Sequence, residues 1–400
     1  MRVVLRGARV VDADGERADE SLTLSDSKIE SVGTTLPDGT AANLDLTGLT
    51  ITPGFIDVHT HGGGGYDLHT TDPEEIGRYA RWAPSGGTTA FLIGVVGVPD
   101  GMPETQLSTA ASATSAGGSG AEPLGIHLEG PYINVLRRGA HDPSWLRTPN
   151  PEETRRVLEL SQGNLRLVTL APELPGAHEM IATLLEHGVV VSIGHTDADY
   201  DQAREAVALG VTHATHCFNA MRPLLHRDPG ALGAIVESDS VRGELIADGV
   251  HVHPAAMRAL VRALTPERTV VVTDALSAAG RTEGEFTFAG QPARIEGGVA
   301  RLADGSITGS VLTMDQALRN LVAMTGVGLP DAVRMLALNP ARSIGADGRK
   351  GAVQAGFDAD LLIFDSTLAL LAAICRGRPA WVRPDQRDRF TPLLQAAGTD

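Results

Sequence analysis

The chain has 400 residues, 42% of them hydrophobic, with 46 glycines, 23 prolines and a formal net charge of -16. That length calls for one large domain with an accessory layer, or two domains, and the composition is that of a compact chain with many tight turns. The acidic balance argues against general nucleic-acid or membrane-surface binding, so an anionic ligand must meet a local positive pocket.

The N-terminus, Met1 to Gly7, lacks the apolar core of a signal peptide, and no later segment reaches the roughly 18 to 20 apolar residues of a membrane span, which predicts a cytoplasmic protein. Cys217 and Cys375 are the only cysteines. This fits a reduced compartment and excludes both a disulfide framework and a cysteine-rich metal site. Lysine occurs only at Lys28 and Lys350.

In chain order, residues 1 to 52 carry short β segments, Val3-Val4-Leu5, Ala8-Arg9-Val10-Val11 and Ser21-Leu22-Thr23-Leu24, punctuated by Asp12-Ala13-Asp14-Gly15 and Pro37-Asp38-Gly39. β signals return at Gly351-Ala352-Val353 and Ala359 to Asp365. The two ends, 1–52 and 346–400, are therefore expected to pair in one small β domain, with 53–345 inserted between them. Within the insertion, apolar runs alternate with helical patterns such as Pro151 to Leu160, Ala177 to His187, Asp199 to Leu209 and Pro254 to Leu264. The predicted strands are Gly54 to Val58, Ala90 to Val95, Leu124 to Leu128, Leu165 to Leu170, Val189 to Ile193, His213 to Cys217, Glu244 to Ala247 and Thr269 to Val272. Eight such units predict an α/β protein with a (β/α)8 TIM-like barrel, whose chemistry sits where the strands end. The Ser108 to Gly120 stretch is expected to be a mobile connection or the polar end of a helix.

His59 and His61 stand two apart at the end of the first apolar run, so a strand would project both to one side. At or just past later strand ends lie Glu129, His195, His216 and Asp274. Together they offer the nitrogen and oxygen donors that zinc, iron, manganese or cobalt accept. Strand parity puts His213 and His216 on opposite sides. That makes His213 a satisfied outer or rim residue and Cys217 a packing residue, while His69, His178 and His187 read as ordinary surface or helix histidines. The glycines of His61-Gly62-Gly63-Gly64-Gly65 lack the spacing and the Lys-Ser/Thr of a nucleotide loop, and are expected to let the backbone pass close to the metal pocket.

The motifs His-Leu-Glu-Gly-Pro (127–131), Gly-His-Thr (194–196), His-Cys-Phe-Asn-Ala-Met (216–221), Asp-Gly-Val-His (248–251) and Val-Thr-Asp-Ala (272–275) occur in this order. With them, and from Pro53-Gly54-Phe55-Ile56-Asp57 to Gly356-Phe357-Asp358-Ala359-Asp360, the chain resembles the N-acetylglucosamine-6-phosphate deacetylases of the amidohydrolase superfamily. The resemblance implies a barrel with a small β-sandwich built from both chain ends, a homodimer, and hydrolysis of the acetamide of a 6-phosphorylated sugar. It also implies that Glu129, His195 and His216 hold the principal divalent metal, zinc first, with His59 and His61 holding a second ion bridged by Glu129. Asp274 would act as general base and acid, and His141 would polarise the acetyl carbonyl. Asn219, the Ala220 amide, Arg227 and His251 would bind phosphate, Arg227 and His251 reaching in from the neighbouring subunit. The carboxylated lysine of other superfamily members is excluded, because no lysine lies between residues 29 and 349. Two competing readings are a related hydrolase or deaminase of a cyclic amide, ureide or purine, and a catalytically dead sugar-phosphate-binding protein.

Overall fold

The computed structural model of the chain describes residues 2–33, 42–99 and 101–398, and the turn expected at Pro37-Asp38-Gly39 lies outside them. At its centre the eight predicted runs form a parallel sheet. Phe55–Asp57, Thr88–Val95, Glu122–Glu129, Leu165–Leu170, Val190–Ile193, His213–Ala214, Arg242–Ile246 and Thr269–Val272 pair each with the next in chain order. Thr88–Val95 is buried along its whole length, as a parallel strand covered on both faces must be. The ring closes beyond the regular strand ends. His61 N donates to Ala275 O at 2.7 Å and Asp274 N to His59 O at 2.8 Å. Asp57 accepts from Thr273 N at 3.3 Å and from Thr273 Oγ1 at 2.5 Å. This closure sets His59 and His61 beside Asp274, although 213 residues of chain separate His61 from Asp274 (274 minus 61).

Helix starts are written in the sequence. Asp72, Asn150 and Asp199 cap the first turns of Pro73–Trp82, Pro151–Ser161 and Tyr200–Leu209 with side-chain oxygens, and Gly210 ends the last of these in the left-handed region. The Ser108 to Gly120 stretch mostly belongs to the helix Glu104–Ala116, which buries Leu107, Ala110 and Ala111.

The chain ends meet as expected. Thr50–Pro53 pairs antiparallel with Leu361–Phe364, in an eight-stranded mixed sheet that also contains Arg2–Asp12, Gly15–Ser25, Lys28–Gly33, Ala42–Asp45, Leu370–Cys375 and Arg378–Val382. Leu361 and Ile363 enter this domain's own core, whereas Leu362 and Phe364 join the barrel core. A strand buried on both faces needs apolar residues at every position, and Leu-Leu-Ile-Phe supplies them. The helix Arg387–Ala397 adds Phe390 and Leu393 to the smaller core. Gly351-Ala352-Val353, expected as β, forms no strand. Gly351 sits at φ 85 against the Ala337–Leu338 backbone, where a side chain would collide.

A small sheet near the site also escaped the sequence pattern. After the eighth barrel strand, Gly284–Phe288, Gln291–Glu296 and Val299–Leu302 form a three-stranded antiparallel sheet. Its two-residue turns, Ala289-Gly290 and Gly297-Gly298, have positive φ throughout, the backbone that tight hairpins require. Those dipeptides were the available signal. Among the described residues, no helix is long and apolar enough to cross a membrane.

Candidate metal centre and substrate cleft

The six strand-end residues converge on one rim of the barrel. Glu129 ends the third strand, and His195, His216 and Asp274 each lie two residues past the fifth, sixth and eighth. The last three have φ of 48°, 27° and 48°, a region L-residues seldom adopt. The chain therefore breaks sharply at each strand end, and the side chain is re-aimed inward.

Glu129 stands at the centre. Its Oε1 lies 3.1 Å from His195 Nε2, 3.2 Å from His216 Nε2 and 3.3 Å from His59 Nε2. Its Oε2 lies 3.1 Å from His61 Nε2 and 3.5 Å from His141 Nε2. Asp274 Oδ1 is 3.5 Å from His59 Nε2 and 3.3 Å from His61 Nε2. His195 Nε2 and His216 Nε2 face each other at 3.0 Å.

These contacts suit a cation. His195 Nδ1 donates to the Arg137 carbonyl at 2.8 Å, and His59 Nδ1 donates to Glu244 at 2.8 Å. In each neutral ring the proton then sits on Nδ1, leaving an Nε2 lone pair aimed at a carboxylate. His59 Nε2 is buried with no hydrogen-bond partner. Lone pairs facing a carboxylate repel unless positive charge lies between them. Tetrahedral bonds of about 2.0–2.1 Å would set donor atoms about 3.3 Å apart, close to the observed spacing. Burial opposes charge on His59, yet Glu244, Glu129 and Asp274 hold its pKa well above the usual range. Burial likewise opposes charge on His61, but Asp274 and Glu129 raise it to about 9. Burial alone would raise Glu129, but His59 and the hydrogen bonds of His141, His195 and His216 hold it far below its ordinary value. Cationic charge at this point is electrostatically favoured.

A cleft of about 200 Å³ opens onto the cluster, lined among others by His141, Asn219, Ala220, His251 and Phe288. A groove of about 680 Å³ over the three-stranded sheet is larger, but among the described residues its lining, including Phe286, Arg294 and Arg301, brings together no group of metal donors. The smaller cleft is the one lined by His61, Glu129, His195, His216 and Asp274. His251 Nδ1 donates to Asp248 at 2.6 Å. Burial opposes its charge, but Asp248 and Asp274 raise its pKa. The resemblance assigned His251 to the neighbouring subunit's site, whereas it lines the cleft of its own chain. Asp248 also accepts from Val250 N and His251 N, which folds the loop back over its own strand end. Arg227 is exposed and does not line this cleft. Arg222 pairs with Asp197 at 2.9 Å and Asp228 at 3.6 Å.

Two histidines depart from their expected places, and a third, His127, had none. His213 is satisfied, but it is fully buried and donates to Glu244 at 3.1 Å. The parity argument fails because the strand ends at Ala214. His69, expected as an ordinary surface or helix residue, lies in a loop and accepts from Val96 N at 3.2 Å; burial first, then the charge of His61 and His141, lowers its pKa to about 3. His127, given no role, packs edge-on against His59 with ring centroids 4.5 Å apart and bonds Thr169 at 2.8 Å. Cys217 packs in the core as expected, while His178 and His187 are exposed on or beside a helix. The Gly-rich loop presses on Trp82 rather than on the metal donors: Cβ atoms at Gly63 and Gly64 would lie 2.1 and 2.5 Å from its ring. The glycines that let backbone approach the donor histidines are Gly94, where a Cβ would meet His61 Nδ1 at 2.8 Å, and Gly139, where it would meet His195 Cε1 at 3.1 Å.

A parallel barrel with imidazoles and carboxylates gathered at its C-terminal rim is the architecture of a metal-dependent hydrolase. The chain belongs to the amidohydrolase family, whose sequence pattern matches residues 50–385. It is 37% identical to an N-acetylgalactosamine-6-phosphate deacetylase from Escherichia coli O157:H7, over 95% of this chain and 100% of that protein. It is 34% identical to an N-acetylglucosamine-6-phosphate deacetylase from Lysinibacillus sphaericus, over 94% and 97% of the two chains. Among solved structures, a mutant N-acetyl-D-glucosamine-6-phosphate deacetylase from Mycobacterium smegmatis, in complex with N-acetyl-D-glucosamine-6-phosphate, superimposes with a TM-score of 0.89 at 37% identity, covering 95% of this chain and 99% of that one.

Proposed function

We propose that the chain hydrolyses the acetamide of N-acetylglucosamine 6-phosphate, giving glucosamine 6-phosphate and acetate, in amino-sugar catabolism and cell-wall recycling in the cytoplasm. The observation that carries the reading is the three-way contact of Glu129 with His195 and His216, which opens on a cleft bearing His141 and Asp274. Glu129, His195 and His216 would hold the principal ion, and His59 and His61, beside Glu129, would hold a second. Several imidazoles with few carboxylates favour zinc, with iron, manganese or cobalt as alternatives, over the all-oxygen sites of calcium or magnesium. Bound there, the ion supplies a Lewis acid and lowers the pKa of water toward about 7.

The chain's own groups do the rest. Asp274 takes the proton from the attacking water and passes it to the departing sugar nitrogen, so that a neutral amine leaves. His141 donates a hydrogen bond to the acyl oxygen as its negative charge grows. Asn219, the Ala220 amide and a cationic His251 bind the phosphate on the far side of the cleft. Arg227 completes that pocket from a second copy of the chain: it is exposed and lies outside its own cleft lining, and Leu224 and Leu225 just before it in the chain are exposed apolar residues. The β domain is assigned to 1–52 plus 346–400 and the catalytic barrel to 53–345.

The test is acetate release by metal-defined protein from N-acetylglucosamine 6-phosphate and from the unphosphorylated sugar. Equal rates on the two would refute the phosphate assignment. Arg227→Ala is expected to raise KM for the phosphorylated sugar while leaving the metal content unchanged. Full-length similarity to the Escherichia coli relative supports a second reading, N-acetylgalactosamine 6-phosphate. Running both epimers in the same assay decides between them by kcat/KM.

A further inference from the structure

A buried carboxylate outside the donor cluster has three hydrogen bonds and no contact with the cleft. Glu244 lies on the strand Arg242–Ile246 with 0% exposure. A charge there is tolerated only if its oxygens are fully paired. Its Oε2 accepts from His59 Nδ1 at 2.8 Å and from the backbone N of His216 at 3.0 Å, and its Oε1 accepts from His213 Nε2 at 3.1 Å. A carboxylate only accepts, so each of these bonds fixes where a proton resides.

The consequences differ for the two partners. At His59 the proton is held on Nδ1, which leaves Nε2 to face Glu129 and Asp274. At His216 the bond falls on the main chain, in a residue whose φ of 27° needs outside support. Glu244 O also accepts from Cys217 N at 3.0 Å, so the same residue grips the break on both sides. His59 belongs to one half of the donor cluster and His216 to the other. A single oxygen touches both.

We infer that Glu244 is a positioning residue that aligns the two halves of the metal centre, fixing the tautomer of His59 and the backbone of His216. The inference rests on the metal reading above, but not on the identity of the sugar. His213 is part of the device, because it pins the second oxygen.

Zinc titration with a competing chromophoric chelator tests it, on metal-stripped full-length protein with zinc ion as the only ligand. Glu244→Gln keeps the shape but turns one acceptor into a donor, so at least one of the three donors meets an N–H. Zinc affinity is expected to fall about 10- to 100-fold, because the full negative charge on the oxygen shared by His59 Nδ1–H and His216 N–H is lost, and the ring N–H resonance of His59 or His213 in 15N-histidine spectra of the metal-free protein is expected to shift. Glu244→Asp, which keeps the charge and loses a methylene of reach, is expected to fall between. A residue that only supported the barrel would lower the melting temperature of the metal-free protein and leave zinc affinity alone. Wild-type affinity in a folded Glu244→Gln protein therefore overturns the inference. If that variant does not fold, His213→Gln carries the test: zinc affinity is expected to fall by up to about tenfold, and wild-type affinity there overturns it equally. Failure of the wild type to release acetate from N-acetylglucosamine 6-phosphate would sink the substrate reading and leave the zinc result standing.

Discussion

Lys350 is a buried lysine at the foot of the barrel, and its replacement by Met tests how the β domain is held to the barrel floor. Its ammonium, 2% exposed, lies 2.7 Å from Glu122 and 3.0 Å from Asp358, and pairs with Asp360. Glu122 opens the barrel strand that ends at Glu129, while Asp360 directly precedes Leu361–Phe364. Oxygens of Glu122, Asp358 and Asp360 lie close enough together to hold a metal ion, but the lysine supplies the cation. Removing it leaves three carboxylates with Arg349 at 2.7 Å from Glu122 and 2.5 Å from Asp358, Lys28 at 2.7 Å from Asp358, and Arg376 at 3.6 Å from Glu122. Breaking a buried pair by deleting one partner costs about 3–5 kcal/mol. For 400 residues, an unfolding entropy of about 2.1 cal/mol/K per residue gives about 0.84 kcal/mol/K, so the expected fall in Tm is about 4–6 °C. Differential scanning calorimetry of Lys350→Met against wild type reads this directly. The double variant with Asp360→Asn should recover part of the loss, because among the described residues Lys350 is the only side-chain cation paired with Asp360. A Tm within about 1 °C of wild type for Lys350→Met would refute the reasoning, since a buried triad cannot lose its only central cation without cost.

Asp274→Asn should lower kcat by about 10²- to 10⁴-fold while zinc content stays at the wild-type level, because Glu129, His195 and His216 are untouched; metal analysis alongside acetate release checks both halves. Gly63→Ala drives a methyl into the Trp82 ring, with 2.1 Å between the atoms, and should cost about 1–3 kcal/mol in urea unfolding. Burial raises the pKa of Asp358, but Lys28, Lys350 and Arg349 outweigh it and hold it at about 2, below the ordinary 3.8. The group is depressed when folded, so its stabilisation is fully present above pH 3.8 and is lost as pH falls through 2. Unfolding curves from pH 5 to 2 should show that loss in the wild type and a shallower one in Asp358→Asn.

Much of the architecture lay in the one-dimensional pattern. The barrel runs could be read because a parallel strand buried on both faces is mostly apolar, as Ala90–Val95 is within Thr88–Val95. Helix starts such as Asp199 could be read because an unpaired first-turn amide needs a nearby acceptor. The six strand-end donors followed from the same reasoning, since side chains at the ends of barrel strands share one rim. The three-stranded sheet was lost because its strands are half exposed and short, with burial of every second residue at best.

The sequence by itself therefore determined which residues form the cylinder and which polar groups crown it, because burial and backbone satisfaction act over a few neighbouring residues. Only the tertiary structure decided how those groups are aimed. His216 turns inward at a left-handed residue after the strand has ended, where alternation along the chain no longer applies. Glu244 reaches His59 across 185 positions, and Lys350 meets Glu122 across 228 (350 minus 122). Hydrogen bonds and ion pairs of that span depend on how strands are ordered and staggered around the ring, and no local pattern records that order.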